Sequence, residues 1–217
     1  MTQKSNLTRW HFASYAAPAM PLAMTGLIIA VYLPAVYADS EGFGLALGFV
    51  GFLVMASRIF DGITDPIIGF WSDRLRTRWG RRKPFIILGT PIYMIGVWLL
   101  WVPPFEFSEV SFLGMTFNNG YPWLLVTLIL FYLGATIKDV PYSAWGAELS
   151  SNYNERTLVM SWREVFSVGG SLIGALTPAI IFFWGYDKPS DAVYFLSLFI
   201  VILTPIYVIN AVWFVPE

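Results

Sequence analysis

Two carboxylates inside an apolar run carry the first chemical signal in this 217-residue chain. Asp61 and Asp65 stand four residues apart and Arg58 three before Asp61, so on a helix all three share one face. Carboxylates one turn apart can offer oxygens to a single monovalent cation, or one can carry an exchangeable proton when its neighbour raises its pKa. A charge at mid-bilayer depth costs on the order of 3 kcal/mol on insertion scales, so such a group faces protein or water and marks an ion or solute path. The plainer reading makes Arg58 and Asp61 a structural ion pair; Asp65 has no such partner nearby in the sequence. A second cluster, Thr136, Lys138 and Asp139, follows the apolar run 123–135, and Pro141 removes the backbone donor that would bind the carbonyl of Ile137. Arg163 and Glu164 open a later apolar stretch. There the guanidinium could reach a solute hydroxyl, pair with Asp139, or snorkel to the interface.

The elements that must position these residues are set by composition. With 57% hydrophobic and 12% charged residues, the chain has about half the charge of an ordinary soluble domain, so lipid must cover its outside. Roughly 20 apolar residues cross a bilayer as a helix. Six stretches qualify, near 14–38, 45–70, 84–103, 122–146, 159–184 and 193–215, which predicts an all-α membrane protein of six transmembrane helices. Lys4 and Arg9 precede the first stretch, but its run is longer than a signal-peptide core, so it is read as a mature helix. Pro18, Pro21, Pro34, Pro141, Pro178 and Pro205 are tolerated in membrane helices and predict kinks. The absence of cysteine excludes disulfides, thiolate metal sites and a cysteine nucleophile. A net charge of −1 gives no nucleic-acid footprint. The one histidine, His11, leaves a membrane enzyme without a nucleophile and base, so no catalytic residue and no cofactor are assigned.

Orientation follows from the basic residues. Lys4, Arg9, Arg74, Arg76, Arg78, Arg81, Arg82, Lys83 and Arg156 fall on one side. Asp39, Glu41, Glu106, Glu109, Asp187 and Asp191 fall on the other, with only Lys188 against them. The positive-inside rule then puts both termini in the cytoplasm of a bacterial-type inner membrane. The connection 104–121 is the longest.

The second connection runs Gly69, Phe70, Trp71, Ser72, Asp73, Arg74 and on to Gly80, Arg81, Arg82 and Lys83. This pattern resembles the loop between helices two and three of the major facilitator superfamily. The resemblance implies that Gly69, Asp73, Arg74, Gly80, Arg81 and Arg82 form a conformational latch with no part in solute contact; the plain alternative is a basic topology signal. The run from Arg58 through Asp61, Thr64, Asp65 and Pro66 to Gly69, with Thr136, Lys138, Asp139 and Pro141, and Glu155 and Arg156 before Arg163, is similar to the glycoside-pentoside-hexuronide:cation symporters, the melibiose permease-like branch. By that resemblance Asp61 and Asp65, helped by Thr136, would bind Na⁺ or H⁺, Asp139 and Arg163 would contact a sugar or glycoside, and Arg58, Thr64 and Lys138 would modulate the site. Two departures stand out. Lys138 replaces an apolar residue of the pattern, and a sugar-contacting helix-one aspartate aligns at or near Ala23. An ammonium beside a cation site repels sodium, which favours proton coupling or a rearranged site.

The superfamily pattern implies a twelve-helix assembly built from 3+3 repeats. The sequence as a whole, 1–217, is expected to be its amino-terminal six-helix half. The carboxy-terminal half is expected on a separate chain or as the lost part of a truncated or excised piece, with a second copy as the other candidate partner. Alternatives are a lysolipid carrier of the same superfamily and a non-transporting scaffold.

Overall fold

A computed structural model describes residues 7–39, 42–112, 115–186 and 188–217. Lys4, Glu41 and Asp187, used above for the charge asymmetry, lie outside the described residues. The helices are α1 (Arg9–Ala16), α2 (Ala19–Ala38), α3 (Leu47–Arg74), α4 (Lys83–Trp101), α5 (Gly120–Glu148), α6 (Tyr153–Phe183) and α7 (Pro189–Phe214). Taken together, α1 and α2 make one stretch, so six segments are long and apolar enough to cross a membrane. The break falls at Pro18, which has no N–H to continue the ladder. Pro34, Pro141, Pro178 and Pro205 sit inside uninterrupted helices, as do Pro66 and Pro91.

Hydropathy located each segment but understated several ends. Helix α6 begins at Tyr153, where the Asn152 side chain accepts a 2.9 Å hydrogen bond from the Asn154 N–H. Arg156, expected in a connection, therefore lies in the first turn of α6, and Arg74 and Lys83 likewise belong to α3 and α4. The apolar run measures hydrocarbon thickness, whereas the helix continues for as long as backbone bonds and caps support it. The longest connection also holds structure that the sequence reading omitted. Strands β1 (Glu109–Phe112) and β2 (Met115–Asn118) pair antiparallel, with Glu109 opposite Asn118.

Packing is densest between α4 and α5, where small residues let backbones meet. A Cβ on Gly96 would lie 2.6 Å from the Phe131 Cα, and one on Gly134 would run into the backbone of Tyr93. The buried core joins α2, α4, α5 and α7 through Ile28, Leu33, Val97, Leu128 and Leu196. By contrast, only 17% of the apolar windows of α3 and α6 is buried, against 39–44% for the other segments. The contacts also follow the predicted repeat. The first span packs on the fifth as the fourth packs on the second, and the third packs on the fourth as the sixth packs on the first. Exchanging the first three spans with the last three maps these pairs onto each other, the arrangement of a 3+3 bundle.

Candidate functional site

Arg58, Asp61 and Asp65 are the charged residues in the middle of α3, and helical spacing carries all three into one cavity of 440 Å3 between α2, α3 and α5. Helix α5 supplies Tyr132, Thr136, Asp139 and Ser143, and α2 closes the wall with Leu22, Gly26 and Ile29. The Thr136 hydroxyl donates a 2.8 Å hydrogen bond to Asp61 Oδ1. Thr64 turns inward on its own helix and donates to the Asp61 carbonyl at 3.1 Å.

Arg58 does not form the ion pair with Asp61 that the sequence left open. Its guanidinium lies over the Tyr132 ring, 4.8 Å from the centroid, and among the described residues the ion pairs involve other groups. Asp61 and Asp65 thus line the cavity without a basic partner in contact. Two carboxylates with one hydroxyl are hard oxygen donors suited to a small monovalent cation or an exchangeable proton.

Lys138 is directed elsewhere. It is 2% exposed, its ammonium is 2.8 Å from Asp139 Oδ1 and 4.3 Å from the Tyr93 ring centroid, and it is not part of the cavity wall. Tyr93 in turn shares a 2.5 Å hydrogen bond with Thr25 of α2. The expected repulsion between an ammonium and a cation at Asp61 is therefore largely absorbed, because the nearest carboxylate, Asp139, compensates the charge. Arg163 sits ten residues inside α6, next to the cavity and not in its wall. It donates to the Ser143 hydroxyl at 3.3 Å and lies over Tyr142 at 5.5 Å, so it neither pairs with Asp139 nor snorkels free of the bundle.

At one end of the bundle lies a second polar cluster. Arg82, 4% exposed, brings Nη1 within 2.5 Å of Asp73 Oδ1 and 2.9 Å of the Ser72 hydroxyl, and Nη2 within 2.9 Å of Glu148 Oε1. Burial works against its charge, but Glu148 and Asp73 more than offset that and hold its pKa above the ordinary arginine value. Arg81 adds a 3.0 Å pair to the same Glu148, while Arg74 stacks on Phe70 at 3.6 Å and stays out of the cluster. The Glu217 carboxylate accepts from the backbone N–H groups of Arg81, Arg82 and Lys83 beside Gly80. Gly69 makes no close approach: a Cβ there would meet Val140 at 3.6 Å, an ordinary contact.

Glu148, Ser72, Tyr132, Tyr93 and Ser143 were missed from the sequence. Glu148 alone left a signal, as an acidic residue closing an apolar run opposite an arginine-rich loop. His11 accepts from the Thr8 N–H at 2.9 Å and so serves the start of α1.

A bundle of six apolar segments around a charged cavity defines a multi-pass membrane protein. Residues 14–217 match the family model described as MFS/sugar transport protein, and the chain belongs to that family, with the six-helix architecture of a major facilitator half. It is 34% identical to an uncharacterized symporter of Synechocystis, over 88% of this chain and 35% of that protein. A putative glycoside/cation symporter of Escherichia coli is 33% identical over 63% of the chain and 28% of its own length. The sodium-dependent lysophosphatidylcholine symporter 1 of mouse is 30% identical over 79% of the chain and 31% of its own length. The chain spans about a third of the length of the curated relatives it matches. Those named relatives are transporters.

Proposed function

We propose that this chain is the amino-terminal six-helix half of a cation-coupled symporter for a sugar or glycoside, with both termini in the cytoplasm of a bacterial-type inner membrane. The observation that carries the reading is the pair Asp61 and Asp65 in a charged cavity of an otherwise apolar bundle, with Thr136 bonded to Asp61 and, among the described residues, no ion pair to either. Sodium or a proton binds there, and Asp139, with Arg163 acting through Ser143, meets the solute. The exposed faces of α3 and α6 dock the partner, either a second six-helix half or a second copy, which closes the open side of the cavity.

A lysolipid is the second reading. It is favoured by the similarity to a sodium-dependent lysophosphatidylcholine symporter over 79% of the chain. The test is uptake of radiolabelled galactosides and lysolipids into liposomes holding the bundle together with its complementary half, under sodium or proton gradients. Accumulation of a glycoside only with a gradient supports the first reading, and accumulation of lysolipid alone supports the second. Solute-independent insertion without transport of either class would reduce the chain to a scaffold.

A further inference from the structure

Three carboxylates line the cavity between α2, α3 and α5: Asp61, Asp65 and Asp139. Asp139 differs from the other two in having a cation of its own. The Lys138 ammonium lies 2.8 Å from its Oδ1, while the lysine itself is 2% exposed and outside the cavity wall. Helix geometry alone does not bring these two side chains together. Consecutive residues project about 100° apart and do not ordinarily face each other, so the lysine has to be turned back toward Asp139 and held there.

The hold comes from other helices. Helix α4 approaches α5 so closely that a Cβ on Gly89 would lie 2.6 Å from the Lys138 backbone nitrogen. The fully buried Tyr93 ring is thereby placed against the ammonium, 4.3 Å from ring centroid to nitrogen, and a ring face attracts a desolvated ammonium. Thr25 of α2 donates its hydroxyl proton to the Pro21 carbonyl at 2.8 Å. In the 2.5 Å bond between Thr25 and Tyr93 the tyrosine hydroxyl is therefore the donor, which fixes the ring to α2. Lys138, the residue held in this way, is also one of the two departures from the symporter pattern.

Charge on the cavity wall decides what such a tether does. With Asp139 held by Lys138, the wall keeps Asp61 and Asp65 against Arg58, a single net negative charge that one monovalent cation neutralises. Arg163 lies outside that wall, bonded to Ser143. Without the ammonium, Asp139 would present a third carboxylate to the same cavity and draw a second cation. We propose that Lys138 is a tethered cation that occupies Asp139 and thereby limits the cavity to one mobile cation. This role rests on the reading of Asp61 and Asp65 as the mobile-cation site. Lys138 sets the number of coupling ions without touching ion or solute.

Equilibrium binding of radioactive sodium to the full chain in nanodiscs, at alkaline pH, counts the ions. The parent should take up one sodium per chain and Lys138→Met two, with the second removed again when Asp139→Asn is added. That double variant deletes both charges of the pair together, so its cooperative melt should be retained and its sodium affinity should stay within about twofold of the parent. Were Asp139 a ligand of the mobile cation in the parent, the double variant would instead bind sodium about tenfold more weakly, which would refute the tether. If Lys138→Met is too unstable for counting, its melting temperature gives the same answer: sodium should raise it more than it raises the parent's, and the bulky cation N-methylglucamine should not. An unchanged sodium count in a folded Lys138→Met, or a second sodium that survives Asp139→Asn, overturns the role of Lys138. The assignment of the mobile site fails separately, if sodium binding by the parent is insensitive to Asp61→Asn and Asp65→Asn. The difference of one sodium between Lys138→Met and the parent tests Lys138 in either case.

Discussion

Helices α3 and α5 carry acidic groups at two depths, and the two depths are treated in opposite ways. Near the bundle end Asp73 and Glu148 are saturated: one guanidinium joins them, Arg81 adds another contact, and Ser72 fills a remaining donor. In the middle, Asp61 and Asp65 line a cavity with a single hydroxyl bonded to one of them. The same helices could have brought a basic residue to both places. Arg58 is on the right face, yet it stacks on Tyr132 instead. A carboxylate pair left without contacting basic groups where charge is most expensive keeps its oxygens for something mobile, while the saturated cluster holds the helices in register.

The largest effect expected from this contrast is at the unsaturated site. Asn at position 61 or 65 keeps the volume and deletes one charge-assisted contact to the ion. Cation affinity should then fall about ten- to a hundredfold, with cation-driven uptake lost and solute binding partly kept. Stability should hold or rise, because an expensive charge is removed. Cation-dependent solute binding by Asp61→Asn and Asp65→Asn, in the assembled transporter, checks this. If both respond to sodium, lithium and pH like the parent, the carboxylates belong with the structural cluster and the contrast collapses.

Between the extremes lies Lys138 with Asp139, a pair that is saturated yet borders the cavity. Lys138→Met strands Asp139 and should destabilise the protein by about 3 kcal/mol, the lower end for a broken buried pair because cavity water reaches the carboxylate. Adding Asp139→Asn should restore most of that. Thermal unfolding in detergent reads both, and a double variant no better than the single one would show that Lys138 acts through Tyr93 rather than through Asp139.

This pair also shows what the sequence could reveal. Spacing and hydropathy gave the six spans and the shared face of Arg58, Asp61 and Asp65, and the family resemblance pointed to Thr136, because these depend on positions within one helix or on a recognisable pattern. They did not give the direction of Lys138. Position 138 is adjacent to 139, and only the close approach of α4 to α5, allowed by Gly89 and Gly134, brings Tyr93 under the ammonium. The fate of Arg58 was hidden for the same reason, since Tyr132 comes from another helix. Helix ends and the hairpin were missed because caps and strand pairing leave weak traces beside long apolar runs.

The saturated cluster can be opened at its centre. Arg82→Ala removes contacts to Asp73, Glu148 and Ser72 together, but both carboxylates are about half exposed and rehydrate, so the loss should be about 2 kcal/mol. Arg82→Lys keeps the charge and loses the fork, and should recover less than half of the melting temperature. A full recovery would mean that the charge alone, without bidentate geometry, holds this end of the bundle.

The smallest effects separate two glycines of the same motif. Gly80 has φ +101°, a conformation side chains resist, and a Cβ there would meet the Glu217 carboxylate. Gly80→Ala should therefore cost about 1–2 kcal/mol and loosen the backbone contacts made to Glu217. Gly69 lies inside α3 with helical backbone, and an added methyl would touch only Val140 at 3.6 Å. Alanine also favours helix over glycine by up to about 1 kcal/mol, so Gly69→Ala should leave the melting temperature of this bundle unchanged or slightly raised. If the small side chain at 69 matters to the latch, it does so by letting another segment approach in a different conformation. Gly69→Ala would then change transport rate while leaving the melt alone, so unfolding and uptake measured on the same variant distinguish a packing glycine from a conformational one.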